Sequence, residues 1–339
     1  MFDVIDQDDS LSHIIEDNHQ ISVEILRDRH EVLVVLTTIT ELSTLHTCIA
    51  EEGLTPSLLK FVNHDNKLSR KVSGIPSLES SGSYYTDVDR DMALEGIGNT
   101  IADLVKKVVV KIKSFISKIV SSIKLRIKSL DELHKKIEQY TSMVNGKEFD
   151  TNNTIQTKLI KYEQLIELLD IALLTTPLSF EIIKLDLPTT WEKYNDWVVA
   201  LNNLVYSKID QYSVVRKGRI VSPKAIKSSL SGMGYGELSF GEIVSKLKEY
   251  INVELTDGPR LTQEIEERWN VTCDSIENMS MDVYVPGQGH STYQSHAASM
   301  LGNAFDKEQE FIYSLSNDGW VHGVRQAIDT LGYLTKAYE

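Results

Sequence analysis

Three groups of residues in this chain have the types and spacing to do chemistry. The first is a run of lysines, Lys106, Lys107, Lys111, Lys113, Lys118, Lys124 and Lys128. They sit in a stretch from Leu104 to Leu130 that carries eight Lys and Arg and no Asp or Glu. Clustered positive charge of this kind contacts the phosphates of nucleic acid or an anionic membrane surface. The second group is glycine-rich, Gly232-Met-Gly234-Tyr-Gly236-Glu237. It lacks a preceding strand and a following Lys-Ser/Thr, and its spacing fits neither a Walker loop nor GxGxxG, so it reads as a loop or hinge between helices. The third is His290, His296 and His322 with nearby carboxylates, whose spacing matches no zinc-ligand pattern. No GxSxG nucleophile elbow occurs. The expectation is a protein that is not an enzyme and uses no cofactor or metal.

The lysines need a helix to position them. With Leu104 at the origin and about 100° per residue, the apolar residues from Ile101 to Leu130 fall in one stripe roughly 160° wide. The lysines fall on the opposite side. Val110, Leu125 and Arg126 break the pattern, and the face is expected to slip near residue 125. This basic amphipathic helix is read as residues 96–145.

The rest of the chain also reads as helices. Gln20 to Glu52 is one long helix ended by Gly53, and Thr55-Pro56 opens a short second one, with Thr as N-cap and Pro at the first helical position. Further helical patterns run from Thr154 to Leu174 with Pro177 interrupting, from Pro188 to Tyr212, from Ser239 to Tyr250, from Arg260 to Met279, and near 292–315 and 320–337. Loops are expected at 213–238 and 282–290. The fold class is therefore all-α: a multi-helix bundle with a separate N-terminal helical leader and a long amphipathic helix. Cys48 and Cys273 sit in apolar-periodic stretches and read as buried thiols, which fits a reducing compartment. No apolar run approaches the ~20 residues of a spanning helix.

Charge divides the chain at Glu95–Gly96. Residues 1–95 hold 18 of the 49 acidic residues and 7 of the 35 Lys and Arg, a net of 7 − 18 = −11 out of −14. The remaining residues carry −14 − (−11) = −3. An attached acidic segment attracts the lysine face and competes with phosphates or anionic lipids for it. The domain reading is an acidic helical leader over 1–73, a flexible processing linker over 74–95, the basic helix, and a mostly helical C-terminal domain over 146–339.

Three elements between residues 52 and 140 resemble a known family. They are Glu52-Gly-Leu-Thr-Pro-Ser-Leu-Leu-Lys-Phe-Val-Asn63, the Glu-ended segments Gly74-Ile-Pro-Ser77-Leu78-Glu79 and Met92-Ala93-Leu94-Glu95, and Gly96-Ile-Gly98 followed at once by the Lys/Ile/Val helix. Together they resemble internal head proteins of large tailed bacteriophages, made with a propeptide that a prohead protease trims after Glu during capsid maturation. The resemblance implies a virion structural protein whose partners are the prohead and capsid proteins, the protease and packaged DNA. It would sit inside the capsid, and in the host cytoplasm before assembly. Small-x-Glu occurs eight times in the chain, and Glu24 and Glu277 lie in helical patterns that would have to open to enter a protease cleft. Position at the charge boundary and at the end of the irregular stretch makes Glu95–Gly96 the first expected cut, with Glu79 as an earlier or additional one. A membrane-active or ejected protein using the lysine helix over 96–130 is the alternative.

Overall fold

Thr86 and Asp89 start the longest helix nine residues ahead of the position the charge pattern suggested. The Asp89 amide donates to Thr86 Oγ1 at 3.2 Å, and the Thr86 amide donates to Asp89 Oδ2 at 2.8 Å. This is a capping box with Asp in place of Glu, and Asp87 and Asp89 in the first turn also suit the positive end of the helix dipole. Residues that read as an acidic linker are thus a helix-start signal. In this computed structural model the described residues are 9–58, 86–221, 223–232, 237–278 and 293–338. Ser77, Leu78 and Glu79, the glycines at 234 and 236, and His290 lie outside them.

The order of elements is α1 (Asp9–Glu52), α2 (Asp87–Val144), β1 (Gln156–Leu159), α3 (Tyr162–Ile183), α4 (Trp191–Ile209), β2 (Val215–Arg216), β3 (Arg219–Ile220), β4 (Ile226–Ser229), α5 (Glu237–Asn278), α6 (Tyr293–Asp318), a π-helical turn (Gly319–Val324) and α7 (Arg325–Thr335). The fold is an all-α, multi-helix assembly with minor strands. At 58 residues, α2 is the spine, about 87 Å long at 1.5 Å per residue. It packs along α1 on one side and α5 on the other, while α6 closes over α1, α2 and α3.

The apolar stripe of α2 is buried as its periodicity predicted, from Leu104 through Phe115 to Ile123 and Leu130. The slip near residue 125 has a physical cause. Arg126 is itself only 3% exposed, and α5 approaches closely there: a Cβ on Gly258 would lie 2.9 Å from Ile127 Cδ1. Close beside this crossing lies a polar seam. Thr176 Oγ1 of α3 donates to Glu254 Oε1 of α5 at 2.6 Å. Burial pushes the Tyr250 phenol up, with Glu254 adding to the shift and Arg126 opposing it.

The N-terminal helix is not a separate leader in the packed fold. Ile25, Val32, Leu36, Ile39, Leu42, Leu45 and Ile49 of α1 all belong to the core. Each contributes about 1.5–3 kcal/mol of transfer free energy before the entropy of ordering is subtracted. Gly53, at φ +76°, ends α1 with its amide donating to Ile49 O at 3.0 Å, as expected of a left-handed C-terminal cap. Thr55 Oγ1 accepts from the Leu58 amide at 3.2 Å, so the Thr-Pro start is also seen. One expectation fails here. The Val23–Glu52 part of α1 is long and apolar enough, by length and composition, to cross a membrane. Half of its most apolar stretch is buried inside the fold, and a core helix reaches the same composition that way.

Prolines interrupt the helices less than expected. α3 continues through Pro177 to Ile183, and α5 runs unbroken through Asp257-Gly258-Pro259. Burial on both sides of each proline, by residues such as Thr176 and Leu178 or Glu254 and Leu261, holds the axis despite the missing donor. The segment from Gln156 to Leu159 is a strand rather than the start of α3. It pairs antiparallel with β4, Gln156 opposite Ser229 and Leu159 opposite Ile226.

Candidate functional site

The candidate site is the seam along α2 where its lysines meet the neighbouring helices. On the α1 side, Lys118 Nζ lies 2.6 Å from Asp28 Oδ2 and 3.3 Å from Glu24 Oε2, and Lys111 pairs with Glu31. On the α5 side, Lys113 lies 2.9 Å from Asp274 and 3.4 Å from Glu277, and Lys124 lies 4.0 Å from Glu266. Pairs 24–118 and 31–111 run in opposite chain directions, as do 274–113 and 266–124. Both flanking helices are therefore antiparallel to α2, with their acidic edges against its lysines.

This changes the reading of the lysine face. Lys111, Lys113, Lys118 and Lys124 do not look outward from an isolated amphipathic helix. They flank the apolar stripe and reach across to carboxylates, although Lys124 does so from an exposed position, and Lys106, Lys107 and Lys128 are exposed as well. The pairing is felt in their protonation. The hydrogen bond that Lys118 donates to Asp28 leads in holding its ammonium above the ordinary value, and the bond donated to Asp274 does the same for Lys113. Lys111 holds the Glu31 carboxyl below its ordinary range.

α1 is tied to α6 as well. Arg29 Nε donates to Asp306 Oδ1 at 2.6 Å, and its Nη2 lies 3.1 Å from Glu310 Oε2. Thr40 and Ser299 hydroxyls meet at 3.0 Å. Near the middle of α6, Glu308 is fully buried. It accepts from Trp269 Nε1 at 2.6 Å and from Arg268 Nη2 at 2.8 Å, and Arg268 also caps the Leu185 carbonyl at 2.7 Å. Burial pushes the Glu308 carboxyl up, against the pull of Arg268 and Trp269.

The expected cut at Glu95 falls in a different setting from the one that singled it out. Met92, Ala93, Leu94, Glu95 and Gly96 lie two turns inside α2. Ala93, Leu94 and Ile97 are at most 1% exposed, whereas Met92 and Glu95 face outward. Residues 87–95 are thus not a linker. The criterion that set aside Glu24 and Glu277, a helix that must open before cleavage, applies equally to Glu95.

Of the remaining candidates, His322 lies in the π-helical turn, where Gly323 abuts the Leu168 carbonyl of α3. Among the described residues, no group of three or more His, Cys, Asp or Glu is arranged to hold a metal ion. Cys273 is a buried free thiol, pushed up to about 12 by burial, and Cys48 is half-buried. Sequence reasoning missed the β2–β3 hairpin, although Val214-Val-Arg-Lys-Gly-Arg-Ile-Val221 carries its signal: β-branched residues flanking an x-Gly turn. Comparison of the chain with family models, curated proteins and solved structures finds no match to any of them.

Proposed function

We propose that this chain is a non-enzymatic structural precursor of a phage head, an internal head protein in which α1 is a removable mask over α2. The observation that supports the reading is the double match of α1 to α2. Its carboxylates Glu24, Asp28 and Glu31 neutralise Lys118 and Lys111, while its apolar residues cover the adjoining stripe. Removing such a helix frees positive charge and apolar surface together. The α1–α2 connection contains Ser77-Leu78-Glu79, and a cut there needs no opening of α2. Glu79 therefore becomes the preferred first cut, and Glu95 becomes accessible only after the first turns of α2 fray. The freed lysines would then face packaged DNA, and α1 would serve incorporation into the prohead through contacts with capsid proteins.

N-terminal sequencing of the protein from purified particles tests this. A mature start at Ser80 or Gly96 supports the proposal, and a start at Met1 in the particle overturns it. The membrane-active alternative keeps the same unmasking but gives α2 a different target: the freed lysines and apolar stripe over 96–130 would lie on an anionic bilayer. It is distinguished by vesicle binding: residues 80–339 should then bind anionic vesicles that the intact chain binds poorly.

A further inference from the structure

A cleft of about 690 Å³ lies where the N-terminal half of α1 meets α6 and the β2–β3 hairpin. That is the size of a small-molecule site. We infer that it binds a nucleotide, either free or at the end of a strand, with the phosphate on the hairpin cations and the base on an aromatic floor. The inference needs only the intact fold and does not depend on removal of α1.

Charge points to an anion. Arg29, Lys217, Arg219 and Lys307 line the cleft against one carboxylate, Glu310. Glu310 is already engaged by Arg29 at 3.1 Å and by Lys307 at 2.9 Å. Lys217 and Arg219 form no ion pair among the described residues and are exposed. Arg219 also acts on Glu310 through space, but the lining still holds four cations to one carboxylate, an excess of positive charge that suits a phosphate, which guanidinium and ammonium groups both recognise.

The hairpin is built at some cost to hold them. Val215 pairs with Ile220 and Arg216 with Arg219, leaving Lys217-Gly218 as a two-residue turn with φ of +52° and +71°. Asn-Gly is the usual sequence for a turn with both φ positive. Lysine at the first position carries backbone strain that Asn or Gly would relieve, a sign that its ammonium is needed there. The turn is also seated. A Cβ on Gly218 would fall 2.2 Å from Tyr206 Cε1, so the backbone lies against that ring, and Tyr206 packs edge-on to Phe311 at 5.8 Å.

The floor points to a base. Phe115 and Phe311 are buried there beside Gln309, whose Oε1 has no hydrogen-bond partner. Inorganic phosphate would leave both the aromatic floor and this acceptor unused. A fatty acid would leave the acceptor unpaired. A nucleotide brings a phosphate, a planar apolar face and N–H donors on one molecule.

The test titrates the intact chain calorimetrically with dAMP, with inorganic phosphate, and with a short 5′-phosphorylated oligodeoxynucleotide. Saturable binding of dAMP or the oligonucleotide is expected, with phosphate alone at least about tenfold weaker because it uses only the charged half of the site. Binding of dAMP identifies the free nucleotide as a ligand, and binding of the oligonucleotide alone identifies the strand end. Lys217→Asn should weaken binding at least about threefold while the urea midpoint holds or rises, because Asn tolerates the left-handed turn. Binding of neither nucleotide probe, phosphate binding as tightly as dAMP, or unchanged affinity in Lys217→Asn would each overturn the inference.

Discussion

Gly302 and Leu36 offer a direct test of whether α1 is part of the core. A Cβ placed on Gly302 of α6 would lie 2.6 Å from Leu36 Cδ2 and 2.9 Å from its Cδ1. Gly302→Ala therefore forces Leu36 to move, and at 2% exposure that side chain has little room. Overpacking of this kind costs about 1–3 kcal/mol, against which the helix gains about 1 kcal/mol from replacing glycine. The net expectation for Gly302→Ala is a loss of about 0–2 kcal/mol. Leu36→Ala alone should cost about 2–5 kcal/mol through lost burial and a cavity. The double variant is the informative one. Removing both Cδ atoms makes room for the new methyl group, so the combined loss should fall short of the sum by at least about 1 kcal/mol. The assay is urea unfolding of all four proteins, followed by far-UV circular dichroism and by tryptophan fluorescence. Costs that add to within about 0.5 kcal/mol, or a Leu36→Ala variant as stable as the parent, would refute the packing of α1 against α6.

Two further outcomes follow from the charged groups. Glu308→Ala leaves the Arg268 guanidinium and the Trp269 N–H without their buried acceptor and should cost about 3–5 kcal/mol in the same urea assay; a loss below about 1 kcal/mol would show that the pair is unimportant to the fold. Docking of α1 should weaken at both ends of the pH scale. Glu31 is lowered by Lys111, so its contribution is complete above the ordinary 4.5 and is lost as pH falls through the lower folded value. Lys118 is raised by Asp28, so its contribution is complete below the ordinary 10.5 and is lost as pH rises through the higher folded value. Hydrogen-exchange protection of α1, corrected for intrinsic rates, reads both limbs, and protection that strengthens in acid below pH 4.5 contradicts the Glu31–Lys111 pairing.

What was legible in the chain was whatever depends on near neighbours. The stripe from Leu104 to Leu130, the Gly53 stop and the Thr55-Pro56 start are all local patterns, and each is found where it was read. The Thr86–Asp89 capping box was equally local but was hidden by its acidity, since three Asp in five residues also make a plausible solvated linker. The partners of the lysines were not legible. A wheel separates polar from apolar faces, but it cannot show that Asp28 and Glu31 of another helix lie within reach of the edge. The continuity of α3 and α5 across proline was hidden for the same reason, because burial of both flanks comes from helices distant in sequence. The β2–β3 hairpin was passed over because two-residue strands offer too short an alternation to stand out among helices.

The bond between Arg29 and Asp306 spans 277 residues, and it sets an order of events during synthesis. At about 5–20 residues per second, roughly fifteen seconds to one minute separates the emergence of its two ends. Once residue 144 has emerged, α1 and α2 are both complete but α6 is still missing, so the acidic edge of α1 can find only α2. The N-terminal helix therefore waits half-covered until the C-terminal helices arrive and close over it. Under the proposed function, binding to an assembling shell and final folding would compete for the same surface in time, with ribosome speed as one of the variables.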